Sequence, residues 1–168
     1  MEQTRTNRLG SRLPGLDEVE YDCWQSFLAS STQVGEILYQ RLLDEHDLTL
    51  VDFLLLDALA KSDGGSARMS DLANRLTLTP SRVTARIQRL QSRKLVSRIS
   101  NKDDRRSVLA IITRDGRACM QRATCTYART VRELYLDRLS RRRMTALGDS
   151  CRRINSDLPP VRRWFDSV

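Results

Sequence analysis

Ten Lys and Arg side chains lie between Arg75 and Arg106, against two acids, Asp103 and Asp104. That is a net +8 in 32 residues, equal to the net charge of the whole 168-residue chain. Cationic groups at this density bind polyanions. The stretch, RLTLTPSRVTARIQRLQSRKLVSRISNKDDRR, separates into two parts. Its first part opens like a capped helix, and its second is two β-type runs joined by a polar, basic loop. A basic helix followed by a basic hairpin is a shape that grips duplex DNA, with the helix in the major groove and the hairpin beside it. The stretch holds no aromatic residue. Single-stranded nucleic acid, whose bases stack on aromatic rings, is therefore disfavoured. So is a membrane-surface helix, which wants large apolar side chains opposite its charge.

Other chemistry has little to build on. His46 is the single histidine, and Cys23, Cys119, Cys125 and Cys151 are widely spread with no CxxC pair. No zinc-ligand spacing, Gly-rich phosphate loop or Ser/His or Cys/His nucleophile system emerges. The chain is expected to be no enzyme and to carry no metal or cofactor. The thiols are expected to pack, as small semi-buried residues. Hydrophobic residues make up 40% and charged residues 30% of the chain, enough apolar surface for a core. No apolar run is long enough to span a membrane, and the first residues lack an apolar signal core, so a cytoplasmic location is expected.

Residues 1–16 read as a flexible arm. A helix over 17–47 follows, with Trp24, Phe27, Leu28, Val34, Leu38 and Leu42 on its apolar stripe. Asp17, Glu18 and Glu20 suit its N-terminus. Asp47-Leu48 breaks it, and residues 48–113 form the next unit. There Thr49 with Asp52 starts a mostly apolar, central helix. Ser70 caps a short helix with Leu72, Ala73 and Leu76 inward. After a turn at Thr77-Leu78, Thr79 caps a helix over about 80–93, with Pro80 at its first position. Val83, Ile87 and Leu90 mark its buried side. Thr79, Ser81, Arg82, Thr84, Ala85, Arg86 and Arg89 are its candidate DNA contacts, with Arg93 and Lys94 added as phosphate anchors. The hairpin occupies about 95–112, with Lys102, Asp104, Arg105 and Arg106 at its basic tip. Residues 114–158 hold two more helices, the first over about 114–138. The second carries Met144, Leu147, Cys151, Ile154 and Leu158 as a coiled-coil-like seam. Residues 159–168 form a tail after Pro159-Pro160. The fold class is mainly α with a small β component. Two short helices with a basic second member make a helix-turn-helix, and the hairpin makes it winged.

Charge is also blocked along the chain. Residues 17–60 hold ten acids and one base, Arg41, while residues 114–168 hold thirteen bases and six acids. Helices from the two ends would attract if they packed together.

Several segments together resemble one family. Asp104-Arg105-Arg106-Ser107 through Leu109, Ile111 and Thr113-Arg114-Asp115-Gly116 resembles the D-x-R…L-x-L-T-x-x-G signature of MarR-type regulators. Leu48-Thr49, Met69-Ser70-Asp71-Leu72-Ala73 and Arg89-Leu90 before Leu95-Val96 are similar to that family too. The resemblance covers about Trp24 to Leu158. It implies a homodimeric winged-helix repressor of transcription, dimerised through helices from both chain ends and bound to a near-palindromic double-stranded operator. It places Ser81, Arg82 and Thr84 on the recognition helix and Arg106 in the minor groove, steadied by Asp104. It also implies release of DNA by a small aromatic or phenolic ligand, for which Trp24, Phe27 and Tyr39 are the candidate lining. Ala85 departs from the arginine often found there, so base preference does not transfer. The hydroperoxide-sensing branch of the family carries its reactive Cys in the first helix. Cys23 lies close to that position, which aligns nearer Gln25, so thiol-based sensing is an alternative. A winged-helix module that binds a protein partner is another.

Overall fold

The computed structural model of the chain describes residues 13–100 and 108–158. Six helices and three strands follow in the order α1 (Glu18–His46), α2 (Leu50–Ala60), β1 (Ser66–Arg68), α3 (Met69–Arg75), α4 (Pro80–Ser92), β2 (Val96–Ser100), β3 (Val108–Ile112), α5 (Arg114–Leu134) and α6 (Arg141–Asp157). The chain divides into two compact units, residues 1–36 and 37–168.

The first unit contains the opening turns of α1. Asp17 and Glu20 close a reciprocal box there, each backbone N–H donating to the other's carboxylate at 2.9 Å. Its apolar residues Val19, Trp24, Phe27 and Leu28 remain 40–78% exposed, and the rings of Trp24 and Phe27 lie 6.0 Å apart.

In the second unit α2 is central. Phe53, Leu55, Leu56, Ala58 and Leu59 are buried on most of its circumference, as its near-continuous apolar sequence requires. Around it pack Leu72 and Ala73 of α3, Val83, Ile87 and Leu90 of α4, Val96, Ala110 and Ile112 of the sheet, and Cys119, Met120 and Ala123 of α5. Thr49 caps α2 through a complete box, its hydroxyl accepting from the Asp52 N–H and the Asp52 carboxylate accepting from the Thr49 N–H.

Three helices end on a non-glycine residue in the left-handed region: Asp47 at φ 50°, Thr77 at φ 53° and Lys94 at φ 60°. Each is followed by a leucine that turns back to bond its own helix. Leu78 donates to the Ala73 carbonyl and Leu95 to the Leu90 carbonyl, both at 2.9 Å, and Leu48 donates to that of Leu42 at 3.2 Å. The leucine then enters or borders the core, which offsets the strained backbone.

Some sequence expectations change. The segment after α2 contributes a strand, β1, not merely a loop. The sheet is three-stranded and antiparallel in the order β1-β3-β2, with Ala67 opposite Ala110 and Val96 opposite Ile112. Ser70 does not cap α3. The cap position is Arg68, which makes no side-chain cap bond, and Ser70 lies in the first turn. Leu76 is half-buried at the end of that helix. The helix after the hairpin stops at Leu134, where Tyr135 leaves helical geometry and a 3-10 turn over Leu136–Arg138 follows. Met144, Leu147 and Cys151 of α6 are half-buried, while Ile154 and Leu158 are 57% and 53% exposed. No helix among the described residues is long and apolar enough to cross a membrane.

Candidate nucleic-acid interface

Helix α4 is laid out in stripes. Val83, Ile87 and Leu90 are fully buried and seat it on α2 and α3. On the opposite side Ser81, Ala85, Gln88 and Ser92 are exposed at spacings of four, three and four residues. Between the two runs a stripe of four arginines, Arg82, Arg86, Arg89 and Arg93, with the same spacing, and all four are half-buried. Thr84 is half-buried on the other flank, its hydroxyl donating to the Pro80 carbonyl at 2.9 Å. The N-terminus is fixed by Thr79, whose hydroxyl accepts from the Arg82 N–H at 3.4 Å and lies 3.1 Å from the Ser81 hydroxyl. Pro80 begins the helix where its missing N–H leaves no bond unmade.

The structure therefore brings Ser81 and Ala85 onto the outermost line of the helix, with Thr79, Arg82 and Thr84 beside its first turn. It adds Gln88, which sequence reading passed over. The signal was available as the i, i+4, i+7 continuation of Ser81 and Ala85. A Gln amide on an exposed helix face can pair with adenine through two hydrogen bonds.

The arginine flank differs from expectation. Arg89 and Arg93 turn into the chain instead of pointing out towards phosphates. Arg89 reaches the Asp47 carboxylate at 2.7 Å and the buried Asp52 carboxylate at 3.2 Å. Arg93 lies 3.3 Å from the Asp47 carboxylate and donates to the carbonyls of His46 and Asp47. Arg86 stands 3.9 Å from Asp52. The physical reason is the acidic block at the α1–α2 corner, which sequence reading had paired only with the C-terminal helices. That second pairing is also present in Glu45, which meets Arg129 at 2.9 Å; Arg41 meets Glu133 at 2.7 Å with the signs reversed. Lys94, at the left-handed turn after α4, is exposed. The tip residues Lys102, Asp104, Arg105 and Arg106 lie outside the described residues.

A capped, outward-facing second helix of a helix-turn-helix, followed by the β2–β3 hairpin of a three-stranded sheet, is a winged helix. Residues 46–107 match the family model of the MarR family. Over 94 residues the chain is 34% identical to YhbI, an uncharacterized HTH-type transcriptional regulator of Bacillus subtilis strain 168. That alignment spans 56% of this chain and 60% of the relative's length. AbsC, a MarR family transcriptional regulator from Streptomyces coelicolor, superposes with a TM-score of 0.78 at 28% identity, covering 87% of this chain and 97% of AbsC. Sco3205 from the same organism, also a MarR family transcriptional regulator and solved in complex with DNA, gives a TM-score of 0.80 at 28% identity, covering 86% and 94%. Residues 46–107 thus match the MarR family, and the fold of the chain is that of MarR family transcriptional regulators.

A cleft of about 490 Å³ opens beside the end of α4. Its walls are Asp44, Glu45, His46 and Asp47 at the end of α1, Arg93 and Leu95 after α4, and Asp115, Ala118, Cys119 and Arg122 of α5. Trp24, Phe27 and Tyr39 are not among them. His46 is half-buried, and its Nε2 lies 2.9 Å from the Thr126 hydroxyl, which donates to the Glu45 carboxylate at 2.7 Å. Because that hydroxyl proton is committed to Glu45, His46 Nε2 must be the donor, which fixes the tautomer. Burial holds the His46 pKa below its ordinary value; Glu45 opposes the shift, and Arg122 and Arg129 add to it. The Thr126 hydroxyl and then Arg129 hold Glu45 below the usual carboxylate range. Cys23 and Cys125 are exposed, Cys151 is half-buried and Cys119 is buried.

Proposed function

We propose that the chain is a transcription regulator that binds double-stranded DNA in a sequence-specific manner as a homodimer. The observation that carries this reading is the exposed stripe of α4. Ser81, Ala85 and Gln88 stand on a helix seated by a buried apolar stripe and opened by a proline-started cap, the arrangement that presents side chains to base edges. Likeness to Sco3205 across most of both chains supports it. The dimer is supported by apolar side chains that the single chain leaves exposed: Val19, Trp24, Phe27 and Leu28 of α1, and Ile154 and Leu158 of α6. Two copies would address half-sites one helical turn, ~10 bp, apart in a near-palindrome. Repression is the expected outcome, since a dimer seated on an operator blocks access to it. Arg106 of the wing tip is proposed to enter the minor groove. The polar walls of the cleft favour a charged effector over a phenol, whose ring needs a mostly apolar pocket.

The test is selection of binding sites from random duplex, followed by titration of the selected site at several salt concentrations. The expected result is a near-palindrome whose affinity falls linearly in log–log form, with a slope of about −0.9 per phosphate neutralised. Absence of salt-sensitive duplex binding refutes the reading and favours a protein-binding winged helix.

A further inference from the structure

We propose that Asp47 and Asp52 are positioning residues for α4: they keep Arg89 and Arg93 on the protein, where these guanidiniums set the seat of the helix instead of neutralising phosphates. This rests on the DNA-binding reading and adds to it a pair of acids outside the interface.

Asp52 is completely buried, which a carboxylate tolerates only when paired. One oxygen accepts from the Thr49 N–H at 3.0 Å and from Arg89 Nη1 at 3.2 Å; the other has no hydrogen-bond partner among the described residues. Withdrawing Arg89 to a phosphate would leave that buried charge with Arg86, 3.9 Å away, as its remaining cation. Asp47 holds the same guanidinium from outside. Its Oδ1 accepts from Arg89 Nη2 at 2.7 Å, and its carbonyl accepts from the same nitrogen at 3.3 Å. Its Oδ2 lies 3.3 Å from Arg93 Nε. Arg93 also donates to the His46 carbonyl at 2.9 Å, so one arginine ties α4 to the open carbonyl end of α1.

The clamp supplies what the apolar stripe lacks. Val83, Ile87 and Leu90 hold α4 against the core, but apolar contact is non-directional and tolerates rotation and sliding. Two planar forks on fixed acceptors do not. They sit eight and twelve residues beyond Ser81 on the same rigid helix, so any rotation they permit is carried directly to Ser81, Ala85 and Gln88.

The experiment compares the full chain with Asp47→Asn and Arg89→Lys, each titrated with selected duplex and with random duplex over a range of salt. Asp47 is 63% exposed at its side chain, and Asn tolerates its left-handed backbone, so this variant keeps the fold. Lys keeps the charge of Arg89 but loses the fork. The expected result is that both variants retain the salt slope while the ratio of selected to random affinity falls on the order of tenfold. Arg89→Lys leaving that ratio unchanged would mark Arg89 as a simple phosphate charge and overturn the clamp. Tighter binding with a steeper slope in Asp47→Asn would overturn it too, because the carboxylate would then be competing with phosphate. Failure of the unsubstituted chain to bind any duplex would instead sink the DNA-binding reading.

Discussion

Gly116 is the position where one added carbon should cost most. A Cβ there would lie 2.0 Å from the Leu95 carbonyl oxygen, 2.9 Å from Ile112 Cγ1 and 3.0 Å from the Leu95 carbonyl carbon. Ordinary contact begins at 3.4 Å, so the start of α5 must withdraw by more than 1 Å. That same carbonyl accepts from the Thr113 N–H at 3.0 Å and the Thr113 hydroxyl at 3.1 Å, and a withdrawal of this size breaks both. Two hydrogen bonds contribute about 1 kcal/mol each. Forcing a methyl into a packed site costs about 1–3 kcal/mol, and helix propensity returns about 0.5–1 kcal/mol. Gly116→Ala should therefore destabilise the chain by about 3 kcal/mol, or ~6–12 °C in Tm for a chain of this size. Urea unfolding at one fixed protein concentration, with an unchanged m-value, measures it. Gly148 is the control. Its added Cβ would meet Arg152 Nη1 at 3.5 Å, an ordinary contact inside α6, so Gly148→Ala should stabilise by about 0.5–1 kcal/mol. A loss below ~1 kcal/mol for Gly116→Ala, or equal losses for the two, would refute the steric argument.

Three further outcomes follow from the same geometry. Thr49→Ala removes the hydroxyl half of the α2 capping box and should cost about 1 kcal/mol in urea unfolding, most of it recovered in Thr49→Ser. Lys94→Gly relieves a left-handed non-glycine backbone and should stabilise by about 1 kcal/mol, even though it deletes a positive charge from the end of α4. Stability should fall on acidification in two phases. His46 is held below 6.5 by burial and Glu45 below 4.5 by the Thr126 hydroxyl and Arg129. In both windows the unfolded chain binds more protons, so stability is lost as pH falls below about 6.5 for His46 and then below about 4.5 for Glu45. Thermal unfolding against pH reads both phases, and His46→Gln should abolish the upper one alone.

The helices were legible because their signals are local. Thr49 with Asp52, Thr79 with Pro80, Thr113 and Ser140 each open a helix where the sequence places them, and the buried stripe of α4 follows from a 3.6-residue period. The strand Ser66–Arg68 was not legible. Its three residues carry no periodicity and become a strand only by pairing with Leu109 to Ile111, more than 40 residues on. Ser70 has a residue type that suits a cap, but β1 runs to Arg68 and puts the cap position two residues earlier. The outward stripe ending in Gln88 was available from spacing, but charge drew the reading to the arginines instead.

By itself the sequence determined the helices, the hairpin, the basic character of α4 and the resemblance to the MarR family, because capping, period and charge are written within a few residues of each other. Only the tertiary structure decided where the arginines point. Asp47 and Asp52 lie 42 and 37 residues from Arg89, and no local pattern says that a stripe of four cations will face those acids. Packing α4 on α2 brings them within hydrogen-bond reach, and the buried carboxylate then holds its guanidinium where water and phosphate would otherwise compete for it.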